Sequence, residues 1–497
     1  MTANELKIGC LFGEPGKAPS RHGATITWQD GRITGVTDTG RREDAGANSG
    51  LVALPALVDA HDHGRGLHHV AFGARDQQLE LWRVALYAHP PIDPYLNAAL
   101  AFARLARAGV GAVMHVHSSI IVERLASDAE AVARAARDVG IRLAFVVPLR
   151  DVRTIGYHDD DAMVGLHDPG DREAIRKTWL YPYPSPADYM ALVRDIAGRI
   201  EGPTISVQLG PNSPIACSDA LLAETAAESA RSNRRVHTHL LETETQRQWG
   251  DAKYRGGLVR HLDDLGLLSP RFSGAHGVWL SPQDCELFAE RSSSIVVNTS
   301  SNLRLRSGIA PVADYLRAGM RFGFGIDSAS FDDDDDAFRE LRITHWLQSL
   351  HQSPAPLAPG RLFTAVHRDG FHAVTNSDQY GAVAAGMPAD FVVLDLDAMS
   401  YDLIEGMAEE LDVLLTRAAN RYVRHVYVDG RQIVRDGRVV GIDFEAVEHE
   451  VLRQARAAAK HMQSLRPIME RSQATLDRFY RAGAHALGGP GKSGSNV

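Results

Sequence analysis

The sequence predicts an α/β protein in which a (β/α)8 barrel is flanked by a small β-sandwich, formed by both chain ends, and by a C-terminal helix. Between residues 53 and 380, eight apolar runs alternate with long amphipathic segments, which is the pattern of a TIM-like barrel. The regions before and after it contain short strand-like runs separated by turn residues. We therefore expect a sandwich from residues 1–52 and 381–445, a barrel from residues 53–380, and a helix with a disordered tail over residues 446–497.

The strand-like runs can be followed in chain order. The first sandwich strands are predicted at Leu6–Leu11, Gly23–Trp28 and Arg32–Val36, and later ones at Phe391–Leu394 and His425–Val428. The first barrel strand ends at His61, and the other seven runs are Val110–His115, Arg142–Pro148, Thr204–Leu209, Arg235–His239, Phe272–His276, Ser294–Val297 and Arg321–Ile326. After Asp443, apolar residues recur at helical spacing, and we expect Pro467 to interrupt that helix.

Composition narrows the classes of function. The chain has 497 residues, 44% of them apolar, and a net charge of −9, which argues against a nucleic-acid-binding surface. No run approaches the length of a membrane span. The three cysteines are few and widely spaced, and the N-terminus lacks the pattern of a signal peptide. We expect a cytoplasmic protein without disulfides that acts on a small molecule.

Potential metal ligands follow several of the predicted barrel strands. His61 and His63 end the first run and lie two residues apart, so a strand presents both side chains on one face. His239 ends the fifth run and Asp327 follows the eighth. The C-terminal ends of the strands of a barrel meet at one face, so these groups are expected to converge. Three imidazoles and a carboxylate suit Zn²⁺, or alternatively Fe²⁺.

Two further groups complete the predicted catalytic set. A divalent ion in such a site lowers the pKa of a bound water towards about 7. Glu242, three residues after His239, is expected to lie beside the ion and carry protons. His276 ends the sixth run and is expected to orient the water or polarise the substrate, with Asp327 serving the chemistry as well as the metal.

These motifs resemble the amidohydrolase superfamily, in particular the branch of the cytosine, guanine and adenosylhomocysteine deaminases and the triazine hydrolases. The resemblance rests on the order HxH, HxxE, His and Asp, and on the segments Leu54–His63, Ala384–Asp390 and Val426–Gly430. It covers about residues 5–445. It implies the same barrel with a sandwich from both chain ends, favours His239 over the neighbouring His237 as the ligand, and implies a homo-oligomer, either a dimer or a larger assembly.

Substrate-binding residues are expected in the loops that follow the strands. The candidates are Arg65, Gln208, Asn212, Asn302 and Arg304. Asn212 stands where the deaminases often have His, so a substrate contact is expected to differ there. The arginines could hold a carboxylate or ring oxygens, or could instead pair with acidic loops. The run Asp332–Asp336 could form a second metal site, a substrate gate or a solvated loop.

Three classes of function follow from the resemblance. The first is an aminohydrolase that replaces an amino group on a small N-heterocycle; the second hydrolyses a cyclic amide, urea or carbamate; the third is a non-catalytic relative. All the expected ligands are present, which argues against the third class. Binuclear relatives bridge their metals through a carboxylated lysine after the fourth run, but no lysine occurs between Lys177 and Lys253. We therefore expect one divalent ion and favour the aminohydrolase.

Overall fold

The computed structural model describes residues 4–119, 121–351, 357–404 and 406–486. This part of the chain contains sixteen strands. Strands β1 to β16 are, in order, Asn4–Leu11, Arg21–Gln29, Arg32–Asp38, Leu51–Pro55, Leu57–Asp62, Val110–Val116, Arg142–Leu149, Ile205–Pro211, Val236–Leu240, Phe272–His276, Ser294–Val297, Arg321–Phe324, Phe391–Asp395, Val423–Val428, Arg431–Arg435 and Arg438–Val439.

The helices lie mainly between the barrel strands and at the C-terminal end. Helices α1 to α19 are, in order, Leu79–Ala85, Pro94–Arg107, Leu125–Val139, Asp160–Gly165, Pro169–Trp179, Pro186–Ile200, Asp219–Ser232, Glu244–Lys253, Gly257–Asp264, Pro282–Glu290, Thr299–Arg304, Val312–Ala318, Ala337–His351, Pro359–Thr364, Gly370–Thr375, Leu396–Ser400, Glu410–Arg417, Phe444–Ala457 and Ala459–Arg481. Among the described residues, no helix is both long enough and apolar enough to span a membrane.

Strands β5 to β12 form the barrel. They are hydrogen-bonded in sequence order, and their ladders are parallel. Small and branched side chains such as Val58, Ala112 and Val296 fill the interior together with Phe371 and Val374 of α15. The predicted fold class is confirmed. Because all eight strands run in one direction, their C-terminal ends meet at the face where the candidate ligands lie.

The two chain ends form a second eight-stranded sheet. Its order is β16-β15-β14-β13-β4-β1-β2-β3, so the antiparallel pair β4 and β13 joins the N-terminal strands to the C-terminal ones. Trp28 packs edge-on against Phe391 and Tyr427 in its core, with ring centroids 5.6 and 5.4 Å apart. The strands of both ends thus share one continuous ladder. Since β4 ends at Pro55, the passage into the barrel falls at Ala56, three residues after the expected start at residue 53.

A buried ion pair connects the barrel to this sheet. Arg142 at the start of β7 binds both carboxylate oxygens of Asp390, with nitrogen–oxygen distances of 3.0 to 3.2 Å. Both side chains are almost fully buried. Asp390 also accepts a hydrogen bond from the backbone N–H of Asp429, 2.6 Å away. The contact between the barrel and the second sheet therefore includes a buried carboxylate that is paired and hydrogen-bonded on both oxygens.

The C-terminal segment forms two helices where we expected an interruption at Pro467. The break between α18 and α19 instead falls at Ala458, and Pro467 lies inside α19. Pro467 and Gln463, whose carbonyl loses its helical donor, are both exposed, so water can bind that carbonyl. Helix α19 is fastened by a 2.7 Å hydrogen bond between Ser472 and His167. The predicted disordered tail, Gly488–Val497, lies outside the described residues.

Candidate active site

The structure brings His61, His63, His239 and Asp327 together at the C-terminal face of the barrel. The Asp327 Oδ1 atom lies 3.3 Å from His61 Nε2 and 3.2 Å from His63 Nε2. The Nε2 atoms of His63 and His239 are 3.4 Å apart. One nitrogen from each of His61, His63 and His239 lies within 4.8 Å of the others. Four ligand atoms from the C-terminal ends of three strands, β5, β9 and β12, thus surround a common point.

These separations fit a divalent ion. Ligand atoms about 2.0 to 2.1 Å from a tetrahedral Zn²⁺ are about 3.4 Å from one another. The Nε2 atom of His61 is fully buried and makes no hydrogen bond of acceptable geometry, although Asp327 lies close to it. A nitrogen that approaches a carboxylate without a directed hydrogen bond is expected where both atoms face a shared cation. The residues present therefore fit the metal that the resemblance implies.

The outer nitrogen of each histidine is held by the barrel. His61 Nδ1 is 2.7 Å from His237 Nε2, and His237 Nδ1 is 2.7 Å from the hydroxyl of Ser273. His63 Nδ1 donates to the Val116 carbonyl at 2.9 Å, and His239 Nδ1 donates to the Asn212 carbonyl at 2.6 Å. Fixing Nδ1 in this way turns each Nε2 towards the centre, which is the arrangement that metal-binding histidines require.

Burial sets the protonation states of this cluster. It lowers the pKa of His61 to about 4 and lowers that of His239 well below its usual value, so both imidazoles are neutral and able to bind a metal. Burial alone would raise the pKa of Asp327, but the close approach of His61 and His63 holds it well below its usual value. Neutral nitrogens and an ionised carboxylate are the forms that coordinate a cation.

Glu242 and His276 lie beside the ligand cluster as a buried pair. Glu242 Oε2 is 3.7 Å from His276 Nε2, and the two side chains are 3% and 1% exposed. Burial raises the pKa of Glu242 to about 7. His276 Nδ1 donates to the side-chain carbonyl of Asn302 at 2.9 Å, while His276 Nε2 has no hydrogen bond. One buried carboxyl group and one free imidazole nitrogen are therefore available to a substrate at this point.

The loop after β12 holds Asp327 in an unusual backbone conformation. Asp327 and Ser328 have φ values of 58° and 50°, in the left-handed region. Ser328 donates to both oxygens of Asp62, at 2.9 and 3.0 Å, which ties this loop to β5. The Asp327 Oδ2 atom accepts a 2.6 Å hydrogen bond from the Ser301 hydroxyl, leaving Oδ1 to face the histidines. The strained loop thus aims one carboxylate oxygen at the centre.

The five candidate substrate-binding residues fall into different positions. Asn212 and Asn302 stand behind His239 and His276 as hydrogen-bond acceptors. Gln208 is buried and donates to the Val374 carbonyl of α15, inside the barrel. Asn212 makes this contact through its backbone carbonyl, whereas Asn302 and Gln208 use their side chains. The placement of all three residues relative to a bound substrate stays a prediction.

The two candidate arginines differ in their partners. Arg304 binds Asp76 at 3.0 Å and Asp333 at 2.6 Å, which favours the alternative that it pairs with acidic loops. The buried Arg65 has no carboxylate within ion-pair distance among the described residues, and its nearest polar contact is His69 Nε2 at 2.8 Å. Of the two guanidinium groups, that of Arg304 is paired with carboxylates, whereas that of Arg65 has no carboxylate partner among the described residues and could bind an anionic ligand.

The acidic run Asp332–Asp336 forms a folded loop. Asp333 and Asp334 bind Arg304 and Arg339, while Asp336 accepts from the backbone N–H of Phe338 at the start of α13. Among the described residues, none of the five carboxylates belongs to a cluster with metal-binding spacing. The arrangement favours a structural loop over a second metal site.

Several residues that orient the site carried no signal in the sequence. His237, which the resemblance sets aside as a ligand in favour of His239, lies behind His61 and binds its Nδ1 atom. Asn298 and Ser301, which contact His276 and Asp327, lie at the N-cap and in the first turn of α11 and have no distinguishing spacing. Only three-dimensional proximity assigns the roles of these three residues. By contrast, the HxH spacing of His115 and His117 at the end of the second run predicts a pocket wall or a hydrogen-bonded core pair. The structure shows them as a buried pair, 3.1 Å apart, that ends on Asp128.

The barrel and its ligand set define the class of metal-dependent hydrolases, and the comparison with family descriptions makes the class specific. Residues 52–433 match the amidohydrolase family, and the chain belongs to that family.

Curated relatives agree over most of the chain. It is 27% identical over 463 residues to a 5′-deoxyadenosine deaminase from Methanothermobacter thermautotrophicus, covering 89% of this chain and 95% of that protein. It is 29% identical over 305 residues to a 5-methylthioadenosine/S-adenosylhomocysteine deaminase from Bacillus cytotoxicus, covering 60% and 69%. The predicted resemblance to this superfamily is confirmed.

Solved structures show the same fold. A zinc-bound adenosine deaminase from Xanthomonas campestris superposes with a TM-score of 0.75 at 22% identity, covering 92% of this chain and 98% of that one. Zinc-complexed atrazine chlorohydrolase from Arthrobacter aurescens gives a TM-score of 0.75 at 19% identity, covering 91% and 99%. Zinc is thus present in both of these neighbours of similar fold.

Proposed function

We propose that the chain is an aminohydrolase that uses one divalent metal ion to replace an exocyclic amino group of a small N-heterocycle with oxygen. The observation that carries this proposal is the buried pair of Glu242 and His276 beside the cluster of His61, His63, His239 and Asp327. Deamination needs a ligand set for the ion and a separate group that moves protons. Here the ligand cluster and the proposed proton-moving group, Glu242, are adjacent, and Glu242 does not have to bind the ion as well.

The proposed ligands are His61, His63, His239 and Asp327, with Zn²⁺ as the first candidate and Fe²⁺ as the second. When bound, the ion supplies Lewis acidity and makes hydroxide available near neutral pH. The hydrogen bonds on the outer histidine nitrogens keep the ligands oriented. Absence of a bridging lysine in the sequence supports a single ion.

Glu242 is proposed to move the protons. A carboxyl group whose pKa burial raises to about 7 exists in both protonation states near neutral pH. It can therefore accept a proton from the attacking water and donate one to the ring nitrogen or the departing amine. His276, held at Nδ1 by Asn302, is proposed to polarise or orient the reacting groups through its free Nε2.

The relatives suggest the first substrates to test. The deaminases named above act, by their names, on 5′-deoxyadenosine, 5-methylthioadenosine and S-adenosylhomocysteine. We propose 6-aminopurine nucleosides with altered 5′ groups as the leading substrate class. Arg65 is the proposed contact for an anionic or carbonyl oxygen, because its buried guanidinium lacks a carboxylate partner among the described residues.

Hydrolysis of a cyclic amide, urea or carbamate is the second candidate. It uses the same ligand cluster, and the side chain of Asn212 supports it. That side chain accepts a 2.9 Å hydrogen bond from Arg150 where deaminases often have a histidine. A site that lacks this histidine presents a different set of donors to a ring.

The test is a screen of metal-loaded protein against aminopurine nucleosides, other amino-substituted heterocycles and cyclic amides. Ammonia release and ring opening are measured separately. Ammonia release that disappears in His61→Ala supports the aminohydrolase; ring opening without ammonia release replaces it with the second candidate. The predicted homo-oligomer is tested on the same preparation by light scattering, and the cytoplasmic location stays a prediction.

A further inference from the structure

A second group of potential metal ligands lies in the sheet formed by the chain ends. It consists of Cys10 on β1, His22 on β2 and Glu410 at the start of α17, and one ligand atom from each lies within 4.8 Å of the others. Cys10 and His22 are direct partners in the antiparallel ladder, so their side chains lie side by side. Glu410 comes from a segment 388 positions after His22 in the chain.

The distances within this group are close to those of a coordination sphere. Cys10 Sγ is 3.8 Å from Glu410 Oε2, and His22 Nε2 is 3.7 Å from Glu410 Oε1. Tetrahedral Zn²⁺ with a sulfur ligand at about 2.3 Å and an oxygen ligand at about 2.0 Å separates the two atoms by about 3.5 Å. Shifts of a few tenths of an ångström would bring all three atoms onto one ion.

The surroundings favour coordination over the other uses of a cysteine. Cys10 is fully buried, and burial, followed by the charge of Glu410, raises the pKa of its thiol, so it is a poor nucleophile. A bound cation would overcome the raised pKa of the thiol, because a thiol that coordinates a metal is deprotonated. His22 and Glu410 are about one-third exposed, at 35% and 34%, which gives an ion access from solvent. The Nδ1 atom of His22 is buried without a partner.

Two neighbouring residues, Ser20 and Arg42, affect how this group could bind a cation. The Ser20 hydroxyl donates to Glu410 Oε2 at 2.6 Å, which orients the carboxylate towards Cys10 and His22. Arg42 also acts on the Cys10 thiol electrostatically, but its guanidinium is engaged by the Ser49 carbonyl and by Asp397 at 3.0 Å. A positive charge nearby weakens cation binding, so Arg42 lowers the affinity of this group of residues for a cation.

We propose that Cys10, His22 and Glu410 form a second metal site, which binds a borderline-soft divalent cation such as Zn²⁺ and fastens α17 to the first two strands. Three protein ligands leave a fourth position to water. The site is distinct from the barrel cluster, which contains no cysteine, and it does not depend on the proposed hydrolase activity. We assign it a structural role, since its three ligands join two neighbouring strands to a helix that lies 388 positions after His22 in the chain.

The test uses Co²⁺ as the probe, because a cobalt–thiolate bond gives a charge-transfer absorption in the near ultraviolet that histidine and carboxylate ligands do not give. The full chain is freed of metal and titrated with Co²⁺. We expect the thiolate absorption to appear in the wild type and in His61→Ala, which loses the barrel ion. It should be absent in Cys10→Ser, while the matched controls Cys217→Ser and Cys285→Ser keep it.

A second variant guards against failure of Cys10→Ser to fold. Glu410→Gln alters a partly exposed side chain and should need at least about tenfold more Co²⁺ for the same absorption, since a neutral amide is a weaker ligand than a carboxylate. Wild-type protein that shows no thiolate absorption at saturating Co²⁺ overturns the proposal. So does an absorption that persists in Cys10→Ser or is lost equally in Cys217→Ser.

Discussion

Glu340 is a buried carboxyl group whose ionisation should make the protein less stable at higher pH. It lies on α13, is 1% exposed, and accepts hydrogen bonds from the backbone N–H of Ser300, at 3.0 Å, and from the Ser300 hydroxyl. Replacing it with Gln keeps one acceptor for the N–H and offers an amide donor to the hydroxyl. Glu340→Gln therefore removes the charge and preserves both contacts.

The size of the effect follows from the pKa. Burial raises the pKa of Glu340 from 4.5 to about 7, and the hydrogen bonds from Ser300 oppose this only in part. Below pH 4.5 both the folded and unfolded states carry the proton, and between 4.5 and about 7 the folded state keeps a proton that the unfolded chain has released. Stability therefore falls as the pH rises through this interval. At about 1.4 kcal/mol per pKa unit, the loss is roughly 3 kcal/mol.

The assay is urea unfolding of metal-free protein at about pH 5 and about pH 8, followed by fluorescence and circular dichroism. Removing metal first keeps the pH dependence of metal binding out of the comparison. Wild-type protein should lose roughly 3 kcal/mol more than Glu340→Gln between the two pH values. Glu286→Gln, which changes an exposed carboxylate on α10, should behave like the wild type.

Equal pH dependence in wild type and Glu340→Gln would refute the reasoning, because it would mean that Glu340 has the same pKa in the folded and unfolded states. A larger loss in Glu340→Gln would do so as well. Lower stability of that variant at both pH values by the same amount would assign its effect to lost hydrogen bonding alone.

The other predictions concern the site and the junction of the two sheets. Glu242→Gln should keep its metal, measured by elemental analysis, and lose at least about 10²-fold in kcat; a near-wild-type rate would reassign proton transfer. His237→Ala should weaken metal binding by about 10- to 100-fold in a chelator competition, and unchanged affinity would contradict its orienting role. Arg142→Met leaves its buried carboxylate partner unpaired and should cost about 3 to 5 kcal/mol in urea unfolding, whereas a loss below about 1 kcal/mol would show that water reaches the site. Arg65→Ala should raise KM for the identified substrate, while Arg304→Ala should not; the reverse pattern would exchange their roles.

The fold class and the meeting of the candidate ligands at one face could be predicted from strand periodicity, whereas the choice of His239 over His237 rests on the family resemblance. Each proposed ligand follows an apolar run, and parallel strands place the residues after such runs at one face of a barrel. His61, His63, His239 and Asp327 therefore converge without any knowledge of the loops. Their role in binding metal stays a prediction until the ion is measured.

The partners behind the ligands could not be predicted, because they depend on how loops and strands pack. His237 contacts His61 across 176 positions in the chain, and Ser301 contacts Asp327 across 26. Periodicity describes which face of a strand a residue occupies, but it does not pair residues between strands. The continuous helix through Pro467 was missed for a related reason, since the exposure of the affected turn is a property of the folded surface.

Helix α11 shows how these unpredicted contacts combine. Three consecutive residues at its start bind three different elements: Ser300 binds Glu340, Ser301 binds Asp327, and Asn302 binds His276. Because they share one helical turn, a displacement of that turn moves a proposed metal ligand and a proposed catalytic residue together. The buried Glu340 carboxyl group binds this same turn through Ser300. This explains why a group with an unfavourable pKa can occupy this position: its hydrogen bonds fix the turn that orients both sides of the site.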